Sequence, residues 1–534
     1  MAMRLHGGQI AAWLEHNTTF VLWLFLLMAI GLAVWMSPGV HGYPFAYPHA
    51  WPSAHWAVMG RNFADHANFG VGLIPIQNNA FVVGDGDLYL HWPPLLPWVV
   101  GGGFKLLGTS DVSLHLLMLG LAIASAMATG FLVAPLYGQQ AALLAALVSI
   151  AAPISRKFSH VAVPVNLALP LMIFALGCFV RGVTAQRAAR RWHVVGALST
   201  YLAVLASWEA ALMLPGLVAA SLVSKQRPYV RPTVIYSAAV GAALLTIFFL
   251  YFFPRLEYLD EFGQSVLHRM RLGSYSPHAL SVYQLEKAVN LADENTSSDM
   301  RLVALRAPFL FVKRFNLFSA VGAIAIPTFL GYHLFVQRPS NWRCIVVILA
   351  VVSSWILWTC LVPNHFILHE FEAVLGLPLA ALAVGGVVVK VLARAKADSS
   401  EGVRAVVLIS CVLALPGSFL LGQLEFGVPS SRLDRVQYGR AIAQFTPPNA
   451  VIMQPGANMV PVFYSNRHTI RGVSDSQQLE RILPMVIDKF HEYPVYLALQ
   501  PKDVQHFTAG CKACQALVER DDLVLFQVSQ RAKE

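Results

Sequence analysis

Charge is the first thing this chain has little of. Of its 534 residues only 12% are Asp, Glu, Lys or Arg, while 56% are hydrophobic, and mean hydropathy is +0.57. A soluble domain carries roughly 25% charged residues because water must be met at its surface; most of this surface must instead meet lipid. Cysteine is scarce too: six in all exclude a disulfide scaffold. Cys178, Cys344, Cys360 and Cys411 fall inside apolar runs and read as small buried hydrophobes. No internal repeat or low-complexity tract stands out. No cleavable leader is expected either. The first apolar run, Thr18–Ser37, has the ~20 residues of a membrane span and is expected to remain as an anchor. The net charge of +10 would point to nucleic acid in a soluble protein; here the placement of the basic residues excludes that partner.

Long apolar runs are what the chain has in abundance. They are Thr18–Ser37, Val112–Leu136, Gln140–Ile154, Asn166–Val180, His193–Ala206, Ala210–Ser224, Pro232–Phe253, Asn316–Val336, Cys344–Val362, Ala373–Leu392 and Val403–Leu421, about eleven transmembrane helices. With the N-terminus inside, the short loops Arg181–Trp192, Lys225–Arg231, Gln337–Arg343 and Ala393–Val403 carry Lys and Arg and face the cytoplasm. Ser207–Glu209 and Pro363–Glu372 carry neither and face outward. An odd number of spans then places the C-terminus outside. The expected fold is a polytopic α-helical membrane domain over residues 1–427, with large outer loops at 38–111 and 254–315, and a small soluble α/β domain over 428–534 on the extracytoplasmic side.

Within the first outer loop, Trp56, Met59, Phe63 and Ala67 recur at helical spacing opposite Arg61, Asp65 and His66, the pattern of a helix lying on the membrane surface. Pro93–Leu107, interrupted by Gly101-Gly102-Gly103, is too short to span and reads as a second interfacial or re-entrant helix. After about Val428 the apolar runs shorten to strand length and alternate with helical patterns, the signature of an α/β fold. Cys511-Lys512-Ala513-Cys514 lies in that portion. In an oxidising periplasm it forms a local disulfide, with free thiols the alternative.

Three segments carry a family resemblance. They are Ser53-Ala54-His55-Trp56 with the later His91-Trp92-Pro93-Pro94-Leu95-Leu96; Ala152-Pro153-Ile154-Ser155-Arg156 with Val163-Pro164; and Asn364–Phe371 with Pro378. Together, over roughly Trp13–Ala383, they resemble the GT-C superfamily of polyprenyl-phosphate-sugar glycosyltransferases, in particular the branch of protein O-mannosyltransferases and the aminoarabinose transferase of lipid A. The resemblance implies a sugar transferred from a polyprenyl-phosphate donor to a glycan, lipid or protein acceptor at the outer face of the cytoplasmic membrane. That chemistry needs a carboxylate for the acceptor and cationic or hydrogen-bonding groups for the leaving phosphate.

Relatives place the key Asp where this chain has Ser53, so the carboxylate is sought elsewhere. Asp85 and Asp87, in Gly84-Asp85-Gly86-Asp87 just upstream of His91, are the candidate catalytic residues; a plain turn is the competing reading of that tetrapeptide. Candidate substrate contacts are Ser53, Arg61, His91, Arg156, Lys157, Glu209, His369 and Glu370. Arg156 and Lys157 are basic residues on a short outer loop, against the charge bias, and suit a phosphate. Glu209 sits at a membrane boundary, where an ionisable group is a functional candidate and an interfacial anchor with Trp208 is the alternative. His365 and His369 have the i, i+4 spacing of a metal pair, but the spacing is common, and sugar or acceptor contact by His369 or Glu370 is the stronger reading. No cofactor or metal is expected. Two other readings stay open: a non-catalytic relative that binds the lipid-linked sugar, which Ser53 favours, and a lipid or sugar transporter.

Overall fold

In the computed structural model, residues 2–45, 50–66, 73–79, 88–185, 187–224, 227–256, 258–269, 342–362, 374–397, 433–456, 458–473, 475–508 and 514–529 are described. Their contacts divide them into two compact units.

The first unit is helical and takes in residues 1–40, 115–273 and 307–427. Its described helices are α1 (Ala2–Trp35), α4 (Asp111–Tyr137), whose first turn belongs to the second unit, α5 (Gln139–Ala151), α6 (Pro153–Phe158), α7 (Pro164–Thr184), α8 (Ala189–Ala206), α9 (Met213–Ser224), α10 (Arg227–Tyr251), α11 (Tyr258–Arg269), α12 (Trp342–Leu361) and α13 (Leu377–Ala397). A 3-10 turn, Trp208–Leu212, leads into α9. Among the described residues six segments are long and apolar enough to cross a membrane: Thr18–Trp35, Asp111–Tyr137, Pro164–Thr184, Tyr229–Tyr251, Trp342–Leu361 and Val374–Val391. The chain is an integral membrane protein. Expected spans at 316–336 and 403–421 lie outside the described residues. The 13-residue α5 rises only about 20 Å, short of a ~30 Å hydrocarbon core. Within this unit Pro164–Thr184 and Val374–Val391 are each 72% buried, whereas Thr18–Trp35 is 22% buried. The first two are therefore its inner helices, and α1 shows Phe20, Leu24 and Leu27 outward, as lipid allows.

The second unit combines residues 41–114 with 428–534 and also 274–306. From the first large loop it has α2 (Ala50–His66) and α3 (Leu95–Leu107). From the C-terminal part it has α14 (Leu433–Phe445), β1 (Val451–Gln454), α15 (Met459–Ser465), β2 (His468–Arg471), α16 (Ser476–Lys489), β3 (Val495–Leu499), α17 (Val504–Thr508), β4 (Cys514–Glu519) and β5 (Val524–Val528). The strands form one sheet in the order β2-β1-β3-β5-β4. The first three are parallel, while β5 and β4 are added antiparallel. Side chains alternate across it. Val451, Met453 and Leu497 face Leu479, Ile482 and Val486 of α16, and Ile452, Tyr496 and Ala498 face Tyr438, Ala441 and Ile442 of α14. Both faces are covered, so β1 and β3 are apolar at nearly every position. Cys514, at the start of β4, is disulfide-bonded.

The triglycine does not interrupt α3. A Cβ on Gly101 would stand 2.7 Å from the Phe63 Cβ and 3.0 Å from the Gly60 carbonyl oxygen, so these glycines let α2 and α3 touch backbone to backbone. The surface helix expected from the spacing of Trp56 and Met59 is accordingly buried on more than one side. Arg61, assigned to its polar face, is 6% exposed, and Asn62 is 2% exposed. Asp65 alone among the expected polar-face residues with a described side chain remains exposed.

The remaining ties are polar. Edge strand β2 has its free side capped by a side chain: the Asn78 amide donates to the Thr469 carbonyl at 2.8 Å and accepts the Thr469 N–H at 2.9 Å, the two bonds a neighbouring strand would make. Asn62 fixes that loop by donating to the carbonyls of Ile76 and Asn78, and Asn79 donates to the Asn466 carbonyl. Arg467 closes two helix ends at once. It donates to the Ala443 and Thr446 carbonyls and the Thr446 hydroxyl at the end of α14, and to the Ser465 and Asn466 carbonyls at the end of α15. Those carbonyls are the orphans of helix C-termini, where a cation is also favoured by the dipole.

Two substitutions test this packing. Asn78→Ala leaves the Thr469 peptide groups buried and unpaired, and should lower the stability of the unit by about 2–4 kcal/mol, with faster amide exchange in β2; unchanged exchange would show that the edge is held otherwise. Gly101→Val should cost about 1–3 kcal/mol by forcing α2 from α3, read as a lower thermal midpoint, whereas Gly102→Val, with open space around its Cβ, should be tolerated.

Candidate functional site

In the second unit the candidate groups gather on α2 and the chain leading into α3. Ser53 is fully buried in the first turns of α2. Two residues on, His55 is 4% exposed and its two ring nitrogens have no hydrogen-bond partner. Aromatic rings enclose it: Trp51 stacks at 5.3 Å between centroids with planes 7° apart, and Trp56 and Tyr89 meet it edge-on at 5.6 and 4.8 Å. Tyr89 in turn meets His91 at 5.5 Å. Burial, reinforced by the charge of Arg471, holds His55 down at about 3, so the imidazole is neutral with one donor and one acceptor unused. A neutral donor–acceptor among flat apolar rings can read a hydroxyl-bearing ring.

Arg61 lies further along α2. It donates to the Phe463 carbonyl at 2.8 Å and its guanidinium lies 5.4 Å from the Phe463 ring centroid, while Nη2 is buried without a partner. Burial lowers it to about 10, with Asp65 acting in the opposite sense; it stays a cation at neutral pH.

In the first unit, the turn between α5 and α7 is the six-residue α6, entered through Pro153. Arg156 and Lys157 are each 7% exposed there. Arg156 reaches the Ala33 carbonyl of α1 at 3.5 Å and burial lowers it to about 10. The Lys157 ammonium sits 5.6 Å from the Phe158 ring centroid. His160 follows, 3% exposed, and its carbonyl is 3.2 Å from Nδ1 of the fully buried His115 in α4. Asn166 fastens the turn by donating to the Phe158 and Val161 carbonyls. Two buried cations and two buried imidazoles thus share the end of the unit where α5 stops and α7 begins. Chain alternation places the α8–α9 turn at that same end. There Glu209 is 1% exposed; its carboxylate accepts from the Ser207 hydroxyl and its carbonyl accepts from Ser354 of α12 at 2.8 Å. Burying a carboxylate and two cations at one rim is costly unless charge is balanced there.

Asp85, Asp87, His369 and Glu370 lie outside the described residues, as does His365. Among the described residues no group of three His, Cys, Asp or Glu could hold a metal ion. His55, His115 and His160 were not singled out from the sequence. The available signal for His115 was an ionisable residue one turn inside an apolar run; for His55 it was only its place in the Ser53–Trp56 motif.

The chain thus contains a long-helix membrane unit, with basic and acidic groups buried at the turns of one end, and a loop-plus-sheet unit. Residues 91–252 match the family model described as dolichyl-phosphate-mannose-protein mannosyltransferase, starting on the His91-Trp92-Pro93-Pro94 segment. The fold matches ArnT from Cupriavidus metallidurans in the apo state with a TM-score of 0.64 at 13% identity, covering 95% of this chain and 97% of that one. Its undecaprenyl phosphate-bound form matches with a TM-score of 0.64 at 14% identity, over 96% and 99% of the two chains. The archaeal oligosaccharyltransferase AglB from Archaeoglobus fulgidus, solved with an inhibitory peptide and a dolichol-phosphate, matches with a TM-score of 0.56 at 13% identity, over 92% of this chain and 70% of that one. No curated protein matches by sequence. The resemblance to GT-C proteins read from the loop motifs is therefore carried by an independent family model and by the fold.

His55 gives this region a pH signature. Between about 3 and the ordinary value near 6.5, the unfolded chain binds a proton that the folded chain does not. Stability therefore falls as pH drops through that window, by about 2 kcal/mol at pH 5 from this group. His55→Phe should flatten the dependence of the thermal midpoint on pH between 6.5 and 4; an unchanged slope would remove His55 as its source.

Proposed function

We propose that the chain is a membrane glycosyltransferase that moves a sugar from a polyprenyl-phosphate donor to an acceptor at the outer face of the cytoplasmic membrane. The observation that carries it is the family match from His91 to residue 252, a stretch that includes α6 and the Glu209 turn. A likeness in fold to proteins solved with undecaprenyl phosphate and dolichol-phosphate supports the same donor class.

On this reading an acceptor hydroxyl attacks the anomeric carbon, the bond from that carbon to the phosphate oxygen breaks, and the sugar is transferred with inversion. Polyprenyl phosphate leaves with the bonding pair. The acceptor proton goes to Asp85 or Asp87. Arg156 and Lys157 hold the phosphate, where partial desolvation strengthens each charge-assisted bond, and Glu209 anchors their rim. Ser53, Arg61, His91, His369 and Glu370 contact sugar or acceptor. The sheet-containing unit recognises the acceptor from the periplasmic side, the N-terminus being cytoplasmic. A second reading is favoured by one observation: a fully buried Ser53 stands at the start of the helix where the resemblance calls for a carboxylate. It makes the chain a binder of lipid-linked sugar without turnover.

The deciding experiment uses purified protein and radiolabelled polyprenyl-phosphate sugars. Turnover by the wild type, with a drop of roughly 100-fold in Asp85→Asn or Asp87→Asn and a raised KM in Arg156→Gln, is the expected result. Full turnover in both Asp variants would overturn the catalytic assignment, and donor binding without turnover would establish the second reading.

A further inference from the structure

Helix α8 begins with an unusual charge pattern. Arg187 precedes it and Arg190 and Arg191 lie in its first turn, where no acidic residue is present. A helix N-terminus already carries partial positive charge from its unpaired N–H groups, so three arginines there repel both it and one another. Among the described residues none of the three makes a hydrogen bond or ion pair, and all three are exposed. They line an open surface groove of about 590 Å³ together with Ala188, Val194 and Val195.

The neighbouring arginine behaves differently. Arg181, at the end of α7, donates to the Phe131 carbonyl and lies over the Phe131 ring at 4.2 Å, with Trp192 at 5.7 Å. Trp192 also contacts Phe131 at 5.8 Å. The start of α8 is therefore pinned by Arg181 and Trp192, and the three remaining guanidinium groups are carried on a fixed frame. One and two turns further along, Val194, Val195 and Leu198 are 58%, 36% and 59% exposed. At spacings of three, four, seven and eight residues they continue the same face as Arg190 and Arg191. A cationic head on an aliphatic stripe matches a lipid, whereas a free phosphate has no use for the stripe.

We propose that Arg187, Arg190 and Arg191 bind the phosphate of an anionic phospholipid, whose acyl chain runs along Val194, Val195 and Leu198. The leaflet is the one that the loop charges assign to the cytoplasm. The site is at the opposite end of α7 from Arg156 and Lys157; 21 residues of helix separate the two by about 30 Å. It does not depend on the transferase reading, and its test has a separate readout.

The test is lipid retention by the full-length protein. Nanodiscs containing phosphatidylcholine with or without phosphatidylglycerol are prepared, and lipids kept by the released protein are counted by native mass spectrometry. The wild type should retain phosphatidylglycerol in preference to phosphatidylcholine. Each Arg→Gln change should weaken that retention roughly fivefold, and added salt should weaken it progressively. Leu198→Asn should weaken it with all three arginines intact. Equal retention of the two lipids, or wild-type retention in R187Q/R190Q/R191Q, would overturn the proposal. Displacement by soluble glycerol phosphate as readily as by lipid would also overturn it, assigning the arginines to a free phosphate instead. If the triple variant does not fold, Arg187→Gln, which lies outside the helix, and the wild-type salt series give the same decision.

Discussion

Edge strand β2 would be the weak point of this protein without the Asn78 side chain. A four-residue parallel strand at the end of a sheet offers one row of backbone donors and acceptors to whatever comes near. Here that row meets an amide from a loop 391 residues earlier in the chain. The amide makes the two bonds of a further strand while adding no strand. Everything in the second unit follows from the loop being held there. Asn62 ties the same loop to α2, the glycines bring α3 against α2, and Phe45, Tyr464 and Asp111 join through the Tyr464 hydroxyl, which donates to Asp111 and accepts from the Phe45 N–H.

Buried and half-buried cations are the second theme, and they sort by what surrounds them. Arg467 donates five hydrogen bonds to helix-end carbonyls and a hydroxyl, so its charge is absorbed by dipoles. Arg181 is absorbed by aromatic faces. Arg61 uses a carbonyl and a ring but leaves one nitrogen over. Arg156 reaches the Ala33 carbonyl and Lys157 lies 5.6 Å from the Phe158 ring centroid, both at a helix end beside imidazoles.

Hydropathy and loop charge are properties of short stretches, and they were enough to mark the chain as membrane-spanning, to locate the described membrane-crossing segments within a few residues, and to mark the change to strands and helices after Val428. The Pro-Pro motif after His91 was legible for the same reason: it is local. What failed was inference about exposure. Trp56, Met59 and Arg61 alternate like a surface helix, yet α2 is buried against α3 and α15, because partners on the far side leave no trace in the periodicity of the helix itself. Gly101-Gly102-Gly103 read as a break for a similar reason, since a glycine that weakens an isolated helix is the same residue that lets two helices touch.

The amino-acid sequence by itself determined that this chain lives in a membrane and which local segments carry polar chemistry, because transfer from water to lipid is decided residue by residue along each run. Tertiary structure alone decided that residues 41–114 and the C-terminal sheet form one unit, that His55 is neutral inside an aromatic cage, and that Arg156 and Lys157 are buried while Arg187, Arg190 and Arg191 are not. Those outcomes depend on contacts between residues far apart in the chain, and a burial or a pKa is a property of the neighbours rather than of the residue.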